Sequence, residues 1–383
     1  MSLNVNKKIL FVTFTKSHYI MAVKILEELR EAGVTVTSKI FCSAFLHDQK
    51  EEFCRHAIDQ FDESTFIDDF VFIRNRLQTW KLRSLIRQVG NEFDEFSPDA
   101  IITFSENGCI YQNSYSRYKG KTDIILFHEG YGDYSDPISK FREVAPYYYI
   151  KMCLWPYKFI PITRSYTGYY NYSFLLEPNI VQRPFEFEAI KIPNDFIKSI
   201  YYSKEIMSEI IDEDSVFVCL SGKDWSNDKG LREYLCYLFD CFSMLSNSIY
   251  IKLAPNVSVE GYGFLLENKK VTVLGNQDLT SESYCFHPNF KYIVTDESSA
   301  VVNAIYSGIN KTYFFLNEEI QSKGCYQYDN NDLIKLLVSK KQIMQTDALN
   351  MVQLINSNYC NGVSASDSKY ASVGESIKGI ICD

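Results

Sequence analysis

The sequence predicts an α/β chain of two doubly wound units, each a parallel sheet flanked by helices. The length, 383 residues, corresponds to about two domains at ~150 residues each. Apolar β-branched and aromatic runs alternate with amphipathic stretches, the pattern of strands joined by crossover helices. That alternation occurs twice, before residue 145 and after residue 200, on either side of a tract that keeps neither period.

In the first series, Ile9–Thr15 is a continuous apolar run and reads as a strand buried on both faces. Tyr19–Ala32 follows as a helix with Ile20, Val23, Ile25, Leu26 and Leu29 on its apolar side, stopped by Gly33. Val34–Cys42 and Phe66–Ile73 read as strands. Trp80–Phe93 is helical, with Trp80, Leu82, Leu85, Ile86 and Val89 at helical spacing. Asp99–Phe104 and Asp123–Phe127 are two more strands, each followed by polar residues and glycine.

The second series gives strands over Ser215–Leu220, Ser248–Leu253, Lys270–Leu274, Phe290–Thr295 and Thr312–Leu316. Helices are expected over Lys229–Leu245 and over Ala300–Ser307, the latter ended by Gly308. Between the two series lies Ala145–Pro184, crowded with Tyr, Phe and Pro. The expected division is therefore 1–185 for the first domain, including the aromatic junction, and 186–383 for the second.

With 46% hydrophobic and 23% charged residues the chain is globular. A net charge of −9 argues against a nucleic-acid partner. The 28 Tyr and 27 Phe exceed what a core alone needs, which suits a surface for a sugar or a lipid as well as junction packing. Eleven cysteines without a CxxC pair read as reduced thiols of a cytosolic protein. Cys42, His47, Cys54 and His56 invite a metal reading, but their spacing is looser than zinc knuckles use, and packing around a helix accounts for them. The basic then apolar N-terminus mimics a signal peptide without its cleavage site, and no stretch reaches the ~20 apolar residues of a membrane span. The expected location is the cytoplasm, with peripheral attachment to the inner face of the membrane left open.

Ligands of open parallel sheets bind at the carboxyl ends of the strands, which directs attention to the polar clusters there. There is no G-x-G-x-x-G after the first strand, no phosphate-binding G-x-x-x-x-G-K-[ST] and no G-x-S-x-G, so dinucleotide, P-loop and serine-hydrolase readings lose their support. His128-Glu129-Gly130 follows the Asp123–Phe127 strand; a carboxylate flanked by glycine suits a general base, or else caps the next helix. Ser298 and Ser299 open a helix after a strand, as a phosphate cradle or a plain N-cap. Lys252 closes another strand ahead of Ala254-Pro255, placed either to neutralise a phosphate or to face solvent. Ser221 and Gly222 add donors beside it. In the first unit, Ser17, His18, Ser105, Glu106, Asn107 and Gly130 are placed to meet acceptor hydroxyls, with helix capping as the other role for Ser17.

The order of these motifs, an acidic residue before Gly, then a strand-end Lys before Pro, then paired Ser, resembles the bacterial sialyltransferases of the capsule polysialyltransferase and lipooligosaccharide sialyltransferase type. The resemblance spans roughly residues 128–299. It implies a GT-B fold, two Rossmann-like domains facing across a cleft, with Glu129 as general base beside His128. It also implies that Lys252, Pro255, Ser298 and Ser299 hold the donor's cytidine monophosphate. The expected reaction moves a sialic acid or related nonulosonic acid from a CMP-sugar to a glycan hydroxyl, with no metal and no cofactor. One departure stands out: Ala254 occupies the position of the family's His-Pro histidine, and the His287-Pro288 pair precedes its strand and so lies at the opposite edge. That departure keeps open a different donor (CMP-Kdo, a UDP-sugar or a CDP-polyol), or a non-catalytic glycan-binding member of a capsule assembly complex.

Overall fold

The structure is a computed structural model that describes residues 6–43, 52–67, 79–104, 109–127, 170–176, 187–202, 204–220, 229–253, 263, 265, 270–275, 279–295, 299–316, 332–360 and 371–382. The chain divides into two compact units, Met1–Phe196 with Lys369–Asp383 in one and Ile197–Ser368 in the other.

The first unit opens with β1 (Asn6–Val12), α1 (Lys16–Glu31), β2 (Thr35–Ser43), α2 (Glu52–Ile58) and β3 (Glu63–Ile67). It continues with α3 (Thr79–Phe96), β4 (Ala100–Thr103), α4 (Cys109–Tyr118), β5 (Asp123–Phe127), β6 (Tyr172–Leu175), β7 (Glu188–Lys191) and α5 (Asn194–Tyr201), a helix that runs across the division. The sheet order is β3-β2-β1-β4-β5-β6-β7, parallel throughout. Ile9 to Val12 are fully buried, as expected of a central strand covered on both faces. Each such side chain contributes ~1.5–3 kcal/mol by leaving water. Leu10, Val12, Ile101, Ile124 and Leu126 from the sheet close a core with Val89 and Phe93 of α3 and Tyr111 and Tyr115 of α4.

Three details depart from the sequence expectation. β1 stops at Val12, because the Thr15 side chain caps α1, so the helix begins at Lys16 and not Tyr19. β3 runs over Glu63–Ile67, beginning three residues before the apolar run suggested, and 68–73 lie outside the described residues. Tyr172–Leu175, inside the tract that kept neither period, is a sheet strand hydrogen-bonded between β5 and β7.

The second unit contains α6 (Lys204–Ser208), β8 (Ser215–Cys219), α7 (Lys229–Phe242), β9 (Ile249–Lys252), β10 (Val271–Val273), α8 (Ser281–Cys285) and β11 (Phe290–Thr295). After these come α9 (Ser299–Tyr306), β12 (Thr312–Phe315), α10 (Asp332–Ser339), β13 (Met344–Gln345) and α11 (Ala348–Asn356). Its sheet order is β10-β9-β8-β11-β12-β13, again parallel throughout. Leu235, Leu238 and Phe242 of α7 and Met351 and Ile355 of α11 cover one face over Val216, Val218, Ile249, Ile251 and Val294.

Both glycine stops read from the sequence are made by the same device. Gly33 has φ +81° and Gly308 has φ +69°, a left-handed turn that glycine takes without strain. In each case the next amide reaches back into the last turn: Val34 N–H to Leu29 O at 3.0 Å and Ile309 N–H to Ala304 O at 3.3 Å.

The last helix, α12 (Val373–Cys382), belongs with the first unit. It lies along α1, where the Gly374 N–H donates to Glu28 Oε2 at 3.0 Å and Lys378 Nζ donates to Ala32 O at 2.8 Å. The compact units thus part at 196/197, against the expected 185/186, and the C-terminal residues return to the first unit instead of closing the second. The reason is local: Lys378 satisfies a carbonyl left open at the end of α1, and a glycine at 374 lets the two helices touch.

Candidate functional site

In a doubly wound sheet the ligand crevice forms where successive connections leave in opposite directions. In the first sheet that point lies between β1 and β4, because the chain runs outward through β2 and β3 before returning to β4. In the second it lies between β8 and β11, after the outward run through β9 and β10. In sequence the candidate residues follow or end β1 and β4, which flank the first switch point, and their neighbour β5, and in the second unit β8 and β11, which flank the other, and their neighbour β9, whose last residue is Lys252. Of them, Ser17, His18, Lys252 and Ser299 are among the described residues. Ser105, Glu106, Asn107, His128, Glu129, Gly130, Ser221, Gly222, Pro255 and Ser298 lie outside them.

At the first switch point the chain leaves β1 through a tight turn. Thr13 fastens it to β2, its N–H and Oγ1 both donating to Phe41 O at 3.1 and 2.8 Å. The Thr15 side chain then accepts the His18 N–H at 3.3 Å, and His18 Nδ1 accepts the N–H groups of Phe14 and Thr15 at 3.1 and 3.3 Å. This is a capping box in which imidazole replaces the usual Glu or Gln. His18 is 4% exposed. It stacks on Phe104 just beyond β4, with centroids 5.4 Å apart and planes at 21°, and meets Phe14 edge-on at 6.0 Å. Ser17, one residue earlier on the same helical turn, is half-buried. Phe104 continues into Phe127, the last residue of β5, at 5.9 Å, and Phe127 stacks on Phe174 of β6 at 5.2 Å. An aromatic row therefore backs the carboxyl ends of β4, β5 and β6.

In the second unit, Lys252, Cys219 and Thr295 stand in register across β9, β8 and β11 and mark the carboxyl edge. Lys252 is 8% exposed, and its Nζ sits 5.7 Å from the centroid of the Tyr284 ring on α8. This cation–π contact holds the ammonium against an aromatic face instead of leaving it in solvent, the bland alternative for a strand-end lysine. Burial first, and then the neighbouring Glu209 carboxylate, push the Tyr284 hydroxyl above its ordinary range. Ser299 opens α9 four residues after β11 ends, so the unpaired amides of that helix start at the sheet's carboxyl edge.

His287 lies at the amino end of β11, the edge where its sequence position puts it. Its Nδ1 accepts the Asn289 N–H at 3.2 Å, and its carbonyl accepts Lys311 Nζ. Burial and then the Lys311 charge lower its pKa below the usual histidine value, partly offset by a hydrogen bond to the Glu209 backbone. With both ring nitrogens engaged by backbone, His287 is a folding element of this turn. Lys311, 6% exposed, is lowered to about 7 by burial, with the Cys285 thiol opposing the shift.

Among the described residues no group of three or more His, Cys, Asp or Glu is arranged to hold a metal ion. Cys42 is buried in β2, whereas His47 lies outside the described residues. Cys42, Cys219, Cys236, Cys241, Cys285, Cys360 and Cys382 are free thiols. No described helix is long and apolar enough to cross a membrane. Two residues at these edges escaped the sequence reading: Thr15, because its partner at the third helical position is His where the capping pattern expects Glu or Gln, and Tyr284, because nothing in spacing ties α8 to Lys252.

No family model matches the chain, and no curated protein matches it. Solved structures do. A UDP-GlcNAc 2-epimerase from Methanocaldococcus jannaschii, in complex with UDP-GlcNAc and UDP, superposes with a TM-score of 0.64 at 11% identity, covering 99% of both chains. The calicheamicin glycosyltransferase CalG4 gives 0.56 at 10% identity, over 98% of this chain and 94% of its own. MurG from Acinetobacter baumannii gives 0.52 at 12% identity, over 98% and 99%. At these identities the likeness establishes the architecture: two parallel-sheet α/β domains of the GT-B type, over essentially the whole chain.

Proposed function

We propose that this protein is an inverting glycosyltransferase that takes a sugar from a nucleotide-activated donor and places it on a hydroxyl of an acceptor glycan. The observation that carries the reading is the coincidence of chemistry with topology. In sequence the candidate polar residues come at or just after the ends of strands beside or next to a switch point, and Lys252, the last residue of β9, stands on the row that marks that edge in the second unit. The donor's phosphate is assigned to Lys252, Ser298, Ser299 and the amino end of α9, helped by Ser221, Gly222 and Pro255. The acceptor is assigned to Ser17, His18, Ser105, Glu106, Asn107 and Gly130.

In this scheme Glu129, with His128 beside it, takes the proton of the acceptor hydroxyl. The hydroxyl oxygen bonds to the donor's anomeric carbon as the bond from that carbon to the phosphate oxygen breaks, and the configuration inverts. The cation and helix amides stabilise the negative charge that develops on the departing phosphate. The motif order favours CMP-sialic acid or a related nonulosonic acid as donor, and a bacterial capsule or lipooligosaccharide as acceptor. The free thiols agree with a cytoplasmic setting, at the inner face of the membrane when the acceptor is lipid-linked. A second reading, a UDP-sugar donor, is favoured by Ala254 in place of the family histidine and by the UDP-GlcNAc bound in a structural neighbour.

Titration with CMP, CDP, UMP, UDP and GDP, followed by the melting temperature, tests both readings, since a ligand of the folded state stabilises by mass action. Selective stabilisation by CMP supports the nonulosonic-acid donor. A response to UDP alone replaces it with the second reading. Silence to all five leaves a glycan-binding protein without transfer.

A further inference from the structure

We propose that Tyr202 and residues 204–214, in the second unit, form a docking ridge for a cationic amphipathic segment of a partner protein. Seven large apolar side chains are exposed among the described residues, and three of them, Tyr202, Met207 and Ile210, fall in this one short stretch. Ile210 is 94% exposed. Single apolar side chains are ordinary on a surface, whereas a group of them marks a contact site.

The stretch is held firmly, so these side chains are presented in fixed places. Each stands next to a buried neighbour that anchors it: Tyr201 beside Tyr202, Ile206 beside Met207 and Ile211 beside Ile210. Hydrogen bonds fix the backbone between them. Tyr202 N–H donates to Lys198 O at 2.9 Å and Glu209 N–H to Ile206 O at 3.3 Å. Asn289 Nδ2 donates to Ile211 O at 2.6 Å, and Asp212 N–H to the Tyr250 hydroxyl at 3.1 Å. Little ordering of the ridge is left for a binding step to supply.

Charge selects the occupant. Exposed Glu205, Asp212, Glu213 and Asp214, with half-buried Glu209, are interleaved with or follow the apolar residues, against Lys204 as the cation of the stretch. Lys291 reaches Asp214 at 3.6 Å, and the balance stays negative. An anionic lipid surface is repelled by such a rim. A second copy of this chain, itself at −9, brings the same carboxylates to a twofold contact. A helix with apolar residues on one face and Lys or Arg on the other answers both the apolar ridge and its rim. The ridge is independent of the donor and acceptor assignments made above.

The probe is a synthetic helix of about five turns with Leu on one face and Lys on the other, carrying one photoreactive leucine. Its Leu/Glu counterpart is the control. The Leu/Lys helix is expected to bind the full chain one to one, to cross-link to this stretch and to weaken as salt screens the rim. Ile210→Ser and Met207→Ser should each weaken it roughly tenfold and keep the melting temperature, since both side chains already meet water. Glu213→Lys, which removes no apolar contact, should weaken it by a smaller factor and so reads the rim by itself. Cross-links elsewhere, undiminished binding by all three variants, or equal binding of the Leu/Glu helix overturns the proposal. Sedimentation with anionic phospholipid vesicles that Ile210→Ser abolishes overturns it in favour of a membrane. Self-association of the full chain that Ile210→Ser abolishes overturns it in favour of a second copy.

Discussion

Gly374 touches Glu28 with no room for a side chain: a methyl carbon built on its α-carbon would stand 2.4 Å from the Glu28 carbonyl oxygen and 2.5 Å from the carbonyl carbon. The same glycine donates its N–H to the Glu28 carboxylate at 3.0 Å. This contact is what lets α12 lie along α1.

Replacing Gly374 with Ala should therefore cost about 1–3 kcal/mol, the usual penalty of overpacking, because the obstacle is backbone and cannot swing aside. Gly379, on the same helix, meets nothing within 4 Å of an added methyl, so Gly379→Ala should stabilise by about 0.5–1 kcal/mol through helix propensity. Urea unfolding of the two variants checks both signs. Equal effects would mean that α12 does not dock at Gly374.

Lys311 makes stability depend on pH. Its folded pKa, about 7, lies below the 10.5 of an ordinary lysine, so between these values the unfolded chain holds the extra proton. Stability must then rise with pH across that window, and below pH 7 the cost of burying the charge is fully present. Between pH 7 and 8.5 the wild type should gain about 1 kcal/mol per pH unit relative to Lys311→Met. Equal slopes for the two proteins in denaturant titrations would show that Lys311 is not held neutral. The interval stops short of the ordinary thiol range because burial pushes the Cys285 thiol well above it, which works in the opposite direction.

Glu129→Gln should lower turnover by roughly 10²–10⁴-fold, the usual contribution of a positioned base, and leave donor affinity unchanged. Single-turnover transfer with the donor saturating measures it. A loss confined to donor KM would remove Glu129 from the role of base.

Lys252→Met keeps the apolar stem and removes the cation. If Lys252 meets the donor phosphate, nucleotide affinity should fall by roughly ten- to a hundredfold, in line with ~1.5–3 kcal/mol for a hydrogen bond to a charged group. Calorimetric titration with the nucleotide that stabilises the wild type decides it. An unchanged affinity would leave Lys252 as the cation over Tyr284 and nothing more.

How much of this was readable in advance depended on whether the signal was local. Gly33 and Gly308 announced their helix ends because the left-handed turn is made by the glycine itself. Ile9 to Val12 announced a buried central strand because burial on both faces needs an unbroken apolar run. Tyr172–Leu175 could not be read this way. Its strand character is supplied by hydrogen bonds from β5 and β7, and its neighbours in sequence are as aromatic as it is. The attachment of α12 to α1 was hidden for the same reason, since Glu28 and Gly374 meet only once the intervening unit has been traversed. At the site, strand ends located Lys252 and His18 correctly at the sheet edges. What they could not give was the ring stacking around His18 or the aromatic face under Lys252, which depend on Phe14, Phe104 and Tyr284.

The placement of α12 has a consequence for synthesis. On the ribosome, the strands of the first sheet emerge and can pair long before the helix that covers α1 exists. That flank of the nascent chain stays bare until the entire second unit has been translated. Shortening the protein by its last helix would therefore injure the end that is made first, uncovering Glu28 and the open carbonyl of Ala32, while the β8–β13 sheet keeps all of its strands.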